Sequence, residues 1–338
     1  MRFGPVPLDQ AEGAILAHSV PLPDGRLRKG GVLGAADIAR LAAAGLAEVT
    51  VARLDPDDVA EDEAAARLAA ALVPDPAGQG LSVSTAFTGR VNLNAVGPGL
   101  ADLDTAAIHA LNRIHPALTL ATLPPLTRVT GGVLTGTVKI IAYAVPAAAL
   151  TEACMVARGA IRVLPVQRRT ASLILTEVPG MEEKLAAKGA RAVAARVAAL
   201  GMTLVQTVTV PHQTAAVADA LRTASGEMLL ILTGSATSDL HDTAPEGLRQ
   251  AGGTVTRFGM PVDPGNLLFV GQLGDRPVIG LPGCARSPAL NGADWVLERL
   301  ACALPVGDDQ IAAMGVGGLL KEIPTRPQAR EPKDKSRA

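Results

Sequence analysis

From Arg169 onward the chain alternates short apolar strands with helices, and this alternation limits its fold more than any other feature. ASLILTEV (171–178) reads as a buried strand. Glu182 to Leu200 follows with helical periodicity and is closed by Gly201, the residue type that tolerates a left-handed helix end. TLVQTVTV (203–210) is a second strand, Thr214 to Thr223 a second helix, and MLLILTG (228–234) a third strand with no polar face. A strand that is apolar on both sides must be covered on both sides. The expectation is a doubly wound parallel sheet between two helical layers, a three-layer α/β/α arrangement. Ligands of such sheets bind beyond the carboxyl ends of the strands.

The rest of the chain has a different texture. At 338 residues it exceeds what one core usually supports, so a second domain is expected before the alternation. Residues 1–167 read as a mixed α+β region. Asp37 sits near the start of a helix with Ile38, Leu41, Ala42 and Leu46 at helical spacing, Gly45 falls near its end, and EVTV (48–51) is a strand. Residues 57–72 read as one acidic, Ala-rich helix, followed by a breaker cluster of Pro74, Pro76, Gly78 and Gly80. Asp104 is placed to cap a helix running to Ile114, and strands are expected from Leu118 through VLTGTVKIIAYAV. Scaffold or dimer surface is the reading for 81–165. Residues 168–304 form the α/β domain, and 305–338 are expected to be a polar tail.

Composition excludes several functions. Hydrophobic residues are 48% of the chain but aromatics only 2%, with Trp295 and Tyr143 single examples, so stacking platforms for single-stranded nucleic acid are lacking. Thirty-one basic against 32 acidic residues leave a net charge of −1, which offers no general field for nucleic acid. Any anion site must be local, made of backbone amides and a helix start. Cys154, Cys284 and Cys302 show no CxxC or zinc spacing. Without a signal pattern or an apolar run of spanning length, a cytoplasmic location is expected.

Two loops could carry chemistry. The first, from Leu232 to Glu246, follows the third strand and offers small residues and the hydroxyls of Thr233, Ser235, Thr237 and Ser238 around Gly234. It ends in Asp242-Thr243-Ala244-Pro245-Glu246, which has the form of a helix start, so Asp242 is either a cap or a metal-binding or acid/base group. The second, from Pro277 to Pro288, ends a short strand in Pro282-Gly283 and reaches a helix, with Arg286 and Ser287 placed to favour a phosphate. Between them lie Pro264-Gly265-Asn266 and a hairpin, LLFVGQLGDRPVIGLPG.

Taken together these stretches resemble the molybdopterin-binding domain of the MoaB/Mog type, over residues 168–304. The Thr-Gly loop ending in Asp, the Pro264-Gly265 pair and the Gly-Leu-Pro-Gly-x-x-x-Ser run (280–287) carry the likeness. Asp242 to Glu246 is similar to the adenylyltransferase branch, while Pro264-Gly265, Pro282-Gly283 and the hairpin are more like the MoeA-type molybdotransferase branch. LRKGGVLGAADIARLAAAGLAEVTVARL (27–54) also resembles the latter. GGVLTGTVKIIAYAVP, IGLPGCARSP, NGADWVLERL and MGVGGLLKEIPTRPQ are closest to a binding module often fused to a MobA-like nucleotidyltransferase. The chain departs from the family pattern at Ser235, Asp263 and Cys284-Ala285, and carries only Thr176-Glu177 after the first strand.

The resemblance implies a Rossmann-like α/β/α domain. It implies molybdopterin or molybdenum cofactor held by Thr233, Gly234, Ser235, Thr237, Ser238, Gly265, Asn266, Pro282, Gly283, Arg286 and Ser287. Asp242 would be the catalytic or metal-coordinating group, with Mg2+ if a nucleotide takes part. Three activities stay open: a molybdotransferase-like protein that inserts molybdate or hands pterin to a nucleotidyltransferase, an ATP- and magnesium-dependent adenylyltransferase, and a non-catalytic carrier. The implied partners are a MobA-like nucleotidyltransferase, maturation proteins of molybdenum hydroxylases and a second copy of the chain, but neither nucleic acid nor membrane.

Overall fold

The computed structural model describes residues 1–320. Lys321 to Ala338, with the EPKDKSRA tail and the end of the MGVGGLLKEIPTRPQ stretch, lie outside the described residues. The chain divides into two compact units, one spanning Met1–Pro165 and one starting at Val166.

The first unit holds two cores. Residues near the N-terminus form a three-stranded antiparallel sheet in the order Arg2–Pro7, Glu48–Arg53, Ile15–Leu16. Helix Ala35–Ala43 buries Leu41 among Leu8, Leu16 and Val51. Beyond it, a four-stranded antiparallel sheet (Leu118–Thr122, Leu134–Ile140, Arg90–Ala95, Leu81–Val83) and a three-stranded one share a core with helices Glu61–Leu72, Thr105–Ile114 and Ala147–Val156. Asp104 does cap its helix, accepting from the Ala107 amide at 2.9 Å.

One local expectation is corrected here. The acidic helix starts at Glu61 rather than at 57, because Asp58–Ala60 pairs as a strand with Ala144–Pro146. The expected strand region does end with strand Ala144–Pro146. The chain then turns into helix Ala147–Val156 behind Pro146, burying Leu150 and Ala153.

The second unit has the expected α/β/α architecture. Its elements are β1 (Thr170–Glu177), α1 (Glu183–Ala199), β2 (Thr203–Pro211), α2 (Thr214–Thr223), β3 (Met228–Leu232), α3 (Thr243–Gln250), β4 (Thr254–Phe258), β5 (Phe269–Leu273), β6 (Arg276–Leu281), α4 (Gly292–Ala301) and α5 (Asp308–Ala313). The sheet order is β2-β1-β3-β6-β5-β4. β2, β1, β3 and β6 are parallel, and β5 runs antiparallel to both β6 and β4. Successive side chains go to opposite faces. Leu173, Leu175, Leu230, Leu232, Ile279 and Leu281 therefore pack with α1, α4 and α5, while Ile174, Leu229, Ile231 and Val278 pack with α2 and α3. Gly201 closes α1 with φ of +71°, as its sequence position foretold.

The packed body continues past Leu304. Ile311 on α5 and Met314 are buried against the α4 side of the sheet, so the polar tail does not begin at 305. No helix among the described residues is long and apolar enough to cross a membrane.

Candidate ligand site at the carboxyl edge of the sheet

Strand register puts the candidate loops on one edge. Leu232 at the end of β3 pairs with Leu281 at the end of β6, so the loops that follow leave the sheet side by side. Phe269 at the start of β5 pairs with Gly280, which brings Gly265 and Asn266 to the same edge. From β1 the chain crosses to β2 on one side and then returns past β1 to β3 on the other. The ends of β1 and β3 thus flank the point where the winding reverses, the usual ligand crevice of such sheets.

Gly234 is required by the sheet rather than by a ligand. A Cβ there would lie 2.7 Å from the Thr176 carbonyl oxygen. Its amide donates to the Thr176 hydroxyl at 2.9 Å, and that hydroxyl lies 2.8 Å from His212 Nδ1 at the end of β2. Gly265 likewise packs on protein: with φ of +142°, a Cβ would meet the Gly292 amide at 2.8 Å. Asn266 is exposed, and its carbonyl accepts from the Met260 amide. Gly283 is different, since a Cβ there would meet only the Arg286 guanidinium, at 3.4 Å, so this backbone stays open.

Asp242 acts as an organiser of the first loop. One carboxylate oxygen accepts from the Thr243 amide at 2.6 Å, and the other from the Ser238 amide at 2.9 Å and hydroxyl at 3.4 Å. Burial raises the carboxyl pKa. The two amides, the nearby His212 and the Ser238 hydroxyl outweigh that and hold it below the usual aspartate range. Most acceptor positions of this carboxylate are therefore taken. Among the described residues no group of three His, Cys, Asp or Glu side chains could hold a metal ion. A magnesium ion here would have to rely on a single oxygen of Asp242 and on the ligand's own phosphates.

The arginines of the site correct the sequence expectation. Arg286 does not present its charge to a ligand; its guanidinium donates to the carbonyls of Thr233 and Gly283 and ties the two loops together. Its Nε is buried without a partner beside Gly189 of α1. Arg196, on α1, carries the second loop, and nothing in its helical position marked it out. Its Nε binds Asp294 at 2.6 Å, and its terminal nitrogens donate to the carbonyls of Ala192, Ala285, Ser287 and Ala289. All five guanidinium N–H groups are thereby used.

That staple explains a second correction. The helix does not follow directly on Pro282-Gly283, with Arg286 and Ser287 at its start. A 3-10 turn, Gly283–Arg286, intervenes, and α4 begins at Gly292 behind the cap Asn291. The Asn291 side chain and Asp294 satisfy that helix end between them, and the Gly292 amide donates to Pro264. The first-turn amides of α4 are thus spent inside the protein. Ser287 Oγ accepts from the Ala289 amide at 3.3 Å, and buried Pro282 offers its carbonyl to Ala285.

Unspent donors remain. Thr233 and Thr237 are 3% and 6% exposed, yet neither hydroxyl has a partner among the described residues. All other buried polar side chains there, Gln79 and Asn291 among them, have one. The amides of Ser235, Ala236 and Thr237 are equally unpartnered, as are those of Gly283 and Cys284 at the start of the 3-10 turn. Exposed Leu240, Leu267 and Leu290 belong to the same three loops. A hollow of about 460 Å³ opens at the opposite, amino edge, but Arg168 and Arg276 there are engaged with main-chain carbonyls.

Residues 173–301 match the family model described as a probable molybdopterin binding domain, MoCF_biosynth. The second unit carries a molybdopterin-binding domain of this family. The match covers β1 from its fourth residue through α4, and so contains all three loops of the edge. Residues 5–53 match a domain of unknown function, DUF8806. No curated protein matches the chain. Among solved structures, the chain is similar to a molybdopterin biosynthesis MoeA protein from Pyrococcus horikosii at 14% identity, with 89% of this chain and 75% of that one covered and a TM-score of 0.32. The likeness to molybdopterin-binding domains thus rests on the family model.

Proposed function

We propose that the carboxyl edge of the second unit binds the phosphate end of a pterin, molybdopterin or the molybdenum cofactor, in the biosynthesis of that cofactor. The observation that carries this reading is the pair of threonine hydroxyls, Thr233 and Thr237, on largely buried residues, without protein partners and still open to solvent, beside free amides in both loops. An oxyanion would accept from these hydroxyls and from the amides around them. The leucines of the three loops suit the flat, less polar ring system beyond the phosphate.

A role in holding and handing on the pterin, with molybdate insertion or transfer to a nucleotidyltransferase as the step served, is favoured over adenylyl transfer. Asp242 supports that preference, because its carboxylate already accepts three hydrogen bonds within its own loop. Cytoplasmic location and a MobA-like partner belong to the same proposal. The test is to extract and identify pterin from the purified protein, then measure pterin affinity of Ser287→Ala and Gly283→Val. Loss of a hydrogen bond to a charged group costs about 1.5–3 kcal/mol, or roughly a tenfold to hundredfold weakening. Gly283→Val should fold normally, since only Arg286 lies near the added side chain. Pterin affinity unchanged in both variants would remove the loop from the site.

A further inference from the structure

The hydrogen bonds around Thr176 decide which nitrogen of His212 carries the proton. Thr176 is 1% exposed, and its hydroxyl has two partners, the Gly234 amide at 2.9 Å and His212 Nδ1 at 2.8 Å. A hydroxyl has one proton to give and two lone pairs to receive with. The amide can only donate, so it takes a lone pair. If Nδ1 donated as well, the hydroxyl proton would be left in the interior without an acceptor. The consistent arrangement has Thr176 donating to Nδ1, which leaves the ring proton on Nε2.

His212 itself is half-buried, and Nε2 has no hydrogen-bond partner among the described residues. It follows the last residue of β2 and so stands at the same sheet edge as the loops. Its amide is tied to the Glu177 carbonyl at 2.9 Å, which fixes the ring's base against the end of β1. Through the Thr176 hydroxyl the ring is linked to the Gly234 amide, which places it beside the start of the first loop. Thr176 therefore connects two elements: it holds the start of the Thr233–Asp242 loop through Gly234 and orients the imidazole through Nδ1.

We propose that His212 is a ligand-contacting residue of this edge, presenting Nε2–H as a donor to an oxyanion, with Thr176 as the residue that sets its tautomer. The proposal rests on the phosphate-binding reading of the edge and adds to it a residue from β2, outside the three loops. It also accounts for the threonine of Thr176-Glu177 at the end of the first strand, which couples loop position to imidazole orientation.

Two measurements test it on the full chain. The first is the ring-nitrogen chemical shifts of protein labelled in histidine, with His212 assigned by the signal missing from His212→Gln. In its neutral ring the wild type should show His212 as the Nε2–H tautomer, Thr176→Ser should keep it, and Thr176→Val should give a mixture of tautomers. An Nδ1–H form dominant in the wild type overturns the proposal. Should Thr176→Val fail to fold, the wild type and Thr176→Ser still decide the point. The second is titration with inorganic phosphate. His212→Leu should weaken phosphate binding tenfold or more, whereas His212→Gln, which places an amide N–H near the Nε2 position, should stay within about threefold of wild type. Wild-type phosphate affinity in His212→Leu overturns the ligand role while leaving the phosphate reading intact. A wild type that binds no phosphate overturns both, and the ring shifts remain as a separate report on the tautomer.

Discussion

Replacing Arg196 by methionine gives the sharpest measure of how the ligand loops are held. The side chain is 7% exposed and faces an Asp294 carboxylate that is 9% exposed. It also gathers the carbonyls of Ala285, Ser287 and Ala289, which belong to the loop between β6 and α4. Methionine fills much of the same volume but supplies no donor. Asp294 would keep its bond from the Asn291 amide and lose its ion-pair partner. Removing one member of a buried pair costs about 3–5 kcal/mol, because the remaining charge is left uncompensated. That is a large fraction of the ~5–15 kcal/mol by which a domain is usually stable. Urea unfolding followed by circular dichroism should show this loss as a lower midpoint, and pterin affinity should fall with it as the loop carbonyls swing free. The double variant Arg196→Met/Asp294→Asn removes the stranded charge while keeping groups to cap α4, and should recover a clear part of the loss. A single variant less than about 1 kcal/mol below wild type, or a double variant no better than the single, would refute the reasoning.

Three further outcomes follow from the same geometry. Gly234→Ala should destabilise the second unit by about 1–3 kcal/mol in urea unfolding, since its Cβ would lie 2.7 Å from the Thr176 carbonyl and the sheet cannot yield without strain. Asp242 has a folded-state pKa below its unfolded value of about 3.9, so its stabilising effect is fully present above that value and is lost as pH falls through the folded one. Asp242→Asn should therefore cost about 1 kcal/mol near neutrality, through the Ser238 contacts, and flatten the acid limb of the unfolding profile below about pH 4; an unchanged limb would deny Asp242 that role. Burial, with the charge of Glu298, pushes the Cys302 thiol up to about 11, so in native protein at pH 8 a disulfide reagent should modify exposed Cys284 readily and Cys302 only after unfolding.

Elements that bury two faces of a sheet were legible because the interior leaves them no choice of residue. MLLIL and the Leu173-Ile174-Leu175 centre of the first strand must be apolar, and Gly201 must allow a left-handed turn. What escaped depends on partners distant in sequence. Asp58–Ala60 becomes a strand only because Ala144–Pro146 lies alongside it, and its own composition continues the acidic helix that follows. Helix Ala147–Val156 buries just Leu150 and Ala153 completely and is alanine-rich around them, so it shows little periodic contrast. Arg196 was invisible for a related reason. On an amphipathic helix an arginine reads as solvated, and only the loop folded over it, some 90 residues later in the chain, turns it into a buried staple.

The glycines and charges of the candidate site separate along the same line. Motif reading assigns them all to the ligand, whereas the structure divides them between building the edge and facing outward. Gly234, Gly265 and Arg286 approach other parts of the protein, and Asp242 closes its own loop. Such residues are needed whether or not chemistry occurs, so a motif that contains them identifies a scaffold shared by binding and catalytic proteins alike. The discriminating groups are those the scaffold leaves unsatisfied: the hydroxyls of Thr233 and Thr237, the amides of Ser235 to Thr237, the amides of Gly283 and Cys284, and Nε2 of His212. All of these can donate a hydrogen bond. A site whose free groups are donors, and whose nearest carboxylate is already engaged, is suited to holding an anion firmly. This preponderance of donors is the physical ground for reading the edge as a place where a phosphorylated pterin is kept and passed on.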